Sequence, residues 1–545
     1  MGGAGEPVRD SPGIDRMRAG LFEFHELDGY RVPVLVSEGR VGYAWRVRRW
    51  EQNFVLDAGS EQPRFVQIAQ AVAAEVRRGR LRPGDALPGS RALAESLGVH
   101  RNTVLAAYAE LAAEGWIVTE PARGTYVSQA LPDPAPRRFA PAATLRREVP
   151  ARAAFELPAQ VEPFRFDTVF PAGTLALPGG TPDVGLVPAN LLARAYRRAL
   201  RRDAKALLGY RDPGGHPRLR AALATMLSAT RGLAAGPEAV LLTRGSQMAL
   251  FLVAQLLVRP GDVVAVEEPG YRPAWEALRR AGARLVALPV DGEGVVVEAL
   301  AELAAQERVR AVYLTPHHQY PSTVTLAPGR RLALLQLARS QRIAVIEDDY
   351  DHEFHYEGRP VLPLASTDAF GSVIYVGTLS KVLAPGLRLG YVVAPPPLID
   401  RLVVLRSTID LQGDAVVEAA VAELLEDGEV QRHVRRARRA YQARRDALTA
   451  ALREQLGDAV AFTTPGGGMA LWLRAAPDLS IAAWEAAAAD HGVHFQPGRR
   501  FMFDGRETPH LRVGFAGLDE RRLREAARRM AAALAAVRRA RGRVA

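Results

Sequence analysis

The stretch Gly377-Thr378-Leu379-Ser380-Lys381-Val382-Leu383-Ala384-Pro385-Gly386-Leu387-Arg388-Leu389-Gly390 decides how this chain reads. Lys381 is one of only two lysines, the other being Lys205, in a chain whose positive charge is otherwise arginine. A primary amine condenses with an aldehyde, and a guanidinium does not usefully do so. A lysine kept against that composition is therefore a candidate nucleophile. Thr378 and Ser380 bring hydroxyls and Arg388 a fixed cation, all suited to a phosphate. Pro385-Gly386 forces a bend that returns Arg388 toward the same place.

Working outward, residues 373–376 read as a buried strand leading into this stretch. Similar apolar runs at 239–242, 263–266, 311–314 and 343–346 alternate with helical spacing. Continuous apolar strands separated by helices predict a parallel sheet covered on both faces. Sites in such sheets form at the carboxyl ends of strands. There the run at 343–346 ends in Glu347-Asp348-Asp349-Tyr350. Thr243-Arg244-Gly245-Ser246-Gln247 stands between a strand and a helix, whose N-terminal amides suit a phosphate. Glu268-Pro269-Gly270-Tyr271 follows the next strand and offers a ring for stacking. An aldehyde, a pyridine nitrogen, a phenolic oxygen and a phosphate on one cofactor need this set, and that cofactor is pyridoxal 5'-phosphate.

The whole chain has 545 residues, which predicts more than one domain. Absence of cysteine excludes disulfides, thiol catalysis and Cys-ligated metal. No apolar run is long enough to span a bilayer, and the N-terminus lacks the pattern of a secretion signal. A cytoplasmic location is expected. The net charge of +11 favours polyanions, although a solvated Arg-rich C-terminal helix accounts for it equally well. Residues 1–61 form an unassigned extension in which 43–50 reads as a strand. Residues 62–128 read as a compact unit. Pro-rich 129–165 reads as a linker, and 166–545 as a large α/β domain with a smaller α+β C-terminal lobe.

Within 62–128, helical spacing over 65–78 stops at Gly79. A helix over 91–97 follows, with Ser90 as its N-cap and Gly98 as its stop. A second helix opens with His100-Arg101-Asn102-Thr103, and two short strands flank Pro121-Ala122-Arg123-Gly124. Helix, turn, helix with basic and polar groups at the second helix's start suits DNA. Arg91, Arg101, Asn102 and Thr103 are the candidate contacts, and Arg123 and Gly124 form the tip of a wing. Leu93, Leu97, Val104, Tyr108 and Leu111 share helical faces and read as core.

The residues of 87–94, 98–104, 107–108, 111, 114–115 and 124–127 closely resemble the GntR-type winged helix-turn-helix. Most of 166–545 resembles fold type I aminotransferases. That second resemblance implies that Lys381 carries the internal aldimine, Asp348 pairs with the pyridine nitrogen and Tyr350 contacts the phenolic oxygen. Ser246, Gln247, Thr378, Ser380 and Arg388 hold the phosphate, and Tyr271 stacks on the ring. Arg512 matches the arginine that binds a substrate carboxylate. Gly209-Tyr210-Arg211 matches the segment whose tyrosine, Tyr210, crosses to a partner's phosphate, so a homodimer is implied. One departure stands out: Tyr320-Pro321-Ser322-Thr323 replaces the usual Asn-Pro-Thr-Gly. With His317-His318-Gln319 and Glu347-Asp348-Asp349-Tyr350-Asp351, it resembles the MocR-type, GabR-like regulators, which join both folds. The expected function is a regulator that binds double-stranded DNA and senses a small amino compound through an external aldimine at Lys381. An active aminotransferase, or a sensor of pyridoxal phosphate itself that controls vitamin B6 synthesis, are the alternatives. The two histidines raise a metal reading, but the sequence supplies no acid–His set beside them, so no metal is expected.

Overall fold

The computed structural model describes residues 22–27, 30–35, 56–57, 60, 62–132, 153–157, 170–358 and 360–542. The strand expected at 43–50 and most of the linker lie outside these residues. The chain divides into two compact units, Met1–Pro158 and Ala159–Ala545.

In the first unit, strands Phe22–Leu27 and Tyr30–Leu35 pair antiparallel. Helix Arg64–Arg77 follows, then Ser90–Leu97 and Arg101–Ala113, and a hairpin of strands Ile117–Glu120 and Gly124–Val127. The apolar spacing of the three helices buries one core, in which Ile68, Val72, Leu93, Val104, Ala107 and Leu111 are at most 1% exposed. Leu97 is only partly buried against it. Ser90 does not cap: the N-cap is Gly89, and Ser90 Oγ instead accepts a bond from Arg101 Nε at 3.2 Å. The serine is already the helix's first residue, so its hydroxyl serves the neighbouring helix. Gly98 ends the helix in the left-handed region, as expected for a C-cap glycine.

The second unit is built on an eight-stranded sheet. Its order is Val240–Thr243, Gly390–Val393, Val373–Thr378, Ala344–Asp349, Val309–Leu314, Val263–Glu268, Arg284–Asp291, Gly294–Val295. The five strands from Val373–Thr378 to Arg284–Asp291 run parallel. Gly390–Val393 is antiparallel to both its neighbours, so the sheet is mostly parallel. All side chains of Val373–Thr378 and Gly390–Val393 are buried, which is why the first of these strands reads as a continuous apolar run. A smaller antiparallel sheet orders Val460–Ala461, Ala470–Ala475, His510–Gly514 and Gln496–Pro497. Its core is shared with helices Glu429–Leu456, Ile481–Asp490 and Glu520–Gly542.

Candidate functional site

A cavity of about 470 Å³ opens at the carboxyl ends of the parallel strands. This size accommodates a cofactor with a small substrate. Asp348 and Tyr350 enter it from the end of Ala344–Asp349, and Thr378, Ser380 and Lys381 from the end of Val373–Thr378. Ser246 and Gln247 come from the first turn of helix Ser246–Leu257, and Tyr271 from the loop after Val263–Glu268. Arg388 returns from the turn Pro385–Leu387, and its guanidinium donates to the Arg244 carbonyl at 2.9 Å. The quoted stretch and its companions thus meet at one point.

Burial sets the electrostatics. Desolvation, then the Arg512 cation, lower the Lys381 amine to about 8. Desolvation raises the Asp348 carboxyl to about 7, against a hydrogen bond from Tyr313 Oη to its Oδ2 at 2.9 Å. The other oxygen, Oδ1, is buried with no partner. A pyridinium N–H would satisfy that oxygen and favour the carboxylate form. Tyr350 Oη donates to the His318 carbonyl at 3.0 Å, and burial pushes its phenol up.

Arg512 stands on strand His510–Gly514 and is fully buried; its guanidinium faces the Tyr350 phenol, and no carboxylate hydrogen-bonds to it. Its guanidinium carbon lies 4.0 Å from the centre of the ring of Tyr320, one of the residues lining the cavity. Gly179 makes this approach possible, because a Cβ there would sit 2.5 Å from Arg512 Nε. At the position of the usual asparagine, then, stands a phenol ring with an arginine stacked on it. Tyr210 does not join these residues: it is 91% exposed.

Sequence reasoning missed Tyr313, Thr315, Gly179 and Gly180. Thr315 lines the cavity directly after strand Val309–Leu314. Its amide and hydroxyl both donate to Glu267 Oε2, at 3.0 and 2.7 Å. The strand-end rule that located Asp348 would have found it. The two glycines had no signal short of the fold itself.

In the first unit, Arg91, Arg101, Asn102, Arg123 and Gly124 are exposed and Thr103 is half-buried. His100 caps the second helix, its Nδ1 accepting from the Asn102 amide at 3.2 Å. Arg123 at the hairpin tip lies 3.5 Å from Glu120, and Gly124 has φ +129°.

A wing and a pair of helices in one unit, with a Lys-centred cavity in a parallel sheet in the other, define a regulator with an aminotransferase-like body. The family profile described as "Aminotransferase class I and II" matches residues 181–530, and that described as "Bacterial regulatory proteins, gntR family" matches 65–127. The chain is 34% identical over 471 residues to "Probable rhizopine catabolism regulatory protein MocR" of Rhizobium meliloti, covering 86% of this chain and 94% of the relative. It is 32% identical over 493 residues to "HTH-type transcriptional regulator TauR" of Rhodobacter capsulatus, covering 89% and 99%. Among solved structures, LysN, the alpha-aminoadipate aminotransferase of Thermus thermophilus, matches with TM-score 0.63 and 33% identity over 67% of this chain and 93% of that one. The chain belongs to the aminotransferase class I and II family in its MocR-type, GntR-headed form, and is a DNA-binding regulator dependent on pyridoxal 5'-phosphate. None of the helices among the described residues is long and apolar enough to cross a membrane.

Proposed function

We propose that the chain is a cytoplasmic, homodimeric regulator whose operator affinity responds to an amino compound carrying a carboxylate. Pyridoxal phosphate, when bound, supplies an aldehyde for a primary amine and an electron-withdrawing ring. Lys381 would anchor it, and Asp348 would hold its ring nitrogen protonated. Tyr350 would face its phenolic oxygen and Tyr271 its ring. Ser246, Gln247, Thr378, Ser380 and Arg388 would hold the phosphate, with Tyr210 of a second copy completing the set. Arg91, Arg101, Asn102 and Thr103 would meet DNA at the paired helices, and Arg123 and Gly124 at the wing.

The observation that carries the effector reading is Arg512. A buried guanidinium that no carboxylate hydrogen-bonds to is costly unless an anion completes it. A carboxylate accepts its fork in bidentate fashion, while the effector's amine exchanges with Lys381 for the same aldehyde. Amino acids should therefore shift operator binding where the amines lacking the carboxylate do not. DNA retardation with matched pairs of the two tests this, and equal potency of both members of every pair would remove Arg512 from the reading. Lys381→Ala should abolish the visible absorbance of bound cofactor while the protein stays folded; a surviving band would contradict the anchor role. The amine's pKa of about 8 also suits proton transfer, so turnover with a 2-oxo acid is the measurement that would favour an active aminotransferase.

A further inference from the structure

A second cluster adjoins Tyr350 but contributes nothing to the cavity wall. His317, His318 and His355 each offer a ring nitrogen, and these three atoms lie within 4.8 Å of one another. His317 is 4% exposed, and both of its ring nitrogens are buried with no hydrogen-bond partner. Both nitrogens of the half-buried His355 are also buried, and the polar neighbour of its ring is the backbone of Glu357. Buried polar atoms are normally satisfied, so the two orphaned nitrogens of His317, with His318 and His355 beside them, call for a ligand.

His318 is prepared for one. Asp351 Oδ1 lies 2.7 Å from its Nδ1. That contact places the proton on Nδ1 and leaves the lone pair on Nε2. A carboxylate behind an imidazole in this way is the usual outer support of a metal-bound histidine. Gly467 faces Nε2, and a Cβ there would collide with it. The other Asp351 oxygen, Oδ2, is buried without a hydrogen-bond partner, and Asp351 acts behind His318 rather than on the ion. The acid–His set that the sequence did not display is brought together by the loops after strands Val309–Leu314 and Ala344–Asp349.

We propose that His317, His318 and His355 bind one divalent metal ion of the zinc class. Three imidazole nitrogens, with no thiolate and no cage of oxygens, suit zinc or its borderline neighbours rather than calcium or magnesium. Metal–nitrogen bonds of about 2.0–2.1 Å require the three nitrogens to close inward by roughly an ångström, within reach of ring rotation. The ion would pin the two loops together beside Tyr350, whose hydroxyl already bonds the His318 carbonyl. The site does not depend on how the cofactor cavity is read.

The test uses the full-length chain without a histidine tag, stripped with chelator and free of pyridoxal phosphate. Zinc is added, excess is removed by gel filtration, and metal per chain is measured by elemental analysis. Affinity follows from competition with a chromophoric chelator. One zinc per chain is expected, weakened at least tenfold in His317→Gln and in His355→Ala. If His317→Gln fails to fold, His355→Ala, at a less buried position, decides. A wild-type chain that retains no zinc, or a folded His355→Ala that binds it as tightly, overturns the site.

Discussion

The lowered amine of Lys381 is due first to burial, and only second to the charge on Arg512. The neutral amine is the nucleophile, and an amine lowered to about 8 becomes neutral above that pH rather than above its ordinary 10.5. Recombination of cofactor-free protein with pyridoxal phosphate should therefore speed up roughly tenfold per pH unit below about 8 and level off above it. Stopped-flow absorbance measures this, and a rate still climbing toward pH 10 would contradict the buried amine. Asp348→Asn keeps the shape and deletes the charge on which a ring-nitrogen proton depends. It should weaken cofactor affinity tenfold or more, in a fluorescence titration, without loss of fold. These two residues were legible because one of only two lysines follows the end of one strand and an acid ends the strand beside it. Tyr313 was not, because an aromatic inside a buried strand looks like packing until its hydroxyl is seen on Asp348. Arg512 needed a resemblance: it stands in the other lobe, and only the fold carries it to Tyr320. Tyr210 is 91% exposed, and the second copy it is proposed to reach lies beyond a single chain.

Among elements, the turns carry the specificity of the fold. Gly98 closes helix Ser90–Leu97 at φ +61°, and nothing lies within 4 Å of where a Cβ would stand. Gly98→Ala therefore pays only a conformational cost, about 1–2 kcal/mol. Thermal unfolding of the first unit should drop accordingly while cofactor absorbance is unchanged; equal losses in both would contradict independent units. Gly390 differs. A Cβ there would stand 2.5 Å from the Gly245 carbonyl carbon and 2.7 Å from the Ser246 amide nitrogen. Gly390→Ala should push strand Gly390–Val393 off the first turn of helix Ser246–Leu257 and weaken cofactor binding. The quoted stretch ends at this glycine, yet its role became visible only once the sheet order set it beside Thr243. Five strands of the large sheet were read within a few residues because each is buried along nearly its whole length, whereas the largely unburied Arg284–Asp291 and the short Gly294–Val295 and Gly390–Val393 were not read. The hairpin Phe22–Leu27 with Tyr30–Leu35 was missed, although the sequence Asp28-Gly29 between alternating runs is a turn signal.

For the whole molecule, a net charge of +11 and the exposed Arg91, Arg101 and Arg123 bear on how the chain would meet DNA. Phosphate contacts by Arg91, Arg101 and Arg123 would make operator affinity fall with salt, and removing one of these arginines should reduce the slope of log K against log salt by about one. Effector control demands more: the amine must bind two states of the protein unequally. At equilibrium this coupling is reciprocal. If an amino acid weakens operator binding tenfold, then operator DNA must weaken binding of that amino acid tenfold, about 1.4 kcal/mol either way. Both factors can be measured, one by DNA retardation at saturating amino acid, the other by titrating cofactor absorbance with and without operator. Equal factors are expected of a sensor, in which the effector enters and leaves unchanged. A chain that transaminates its ligand converts the cofactor and leaves equilibrium, so the two factors then diverge with time. Reciprocity therefore separates the regulator from the enzyme whose fold it shares, without the natural effector having to be known first.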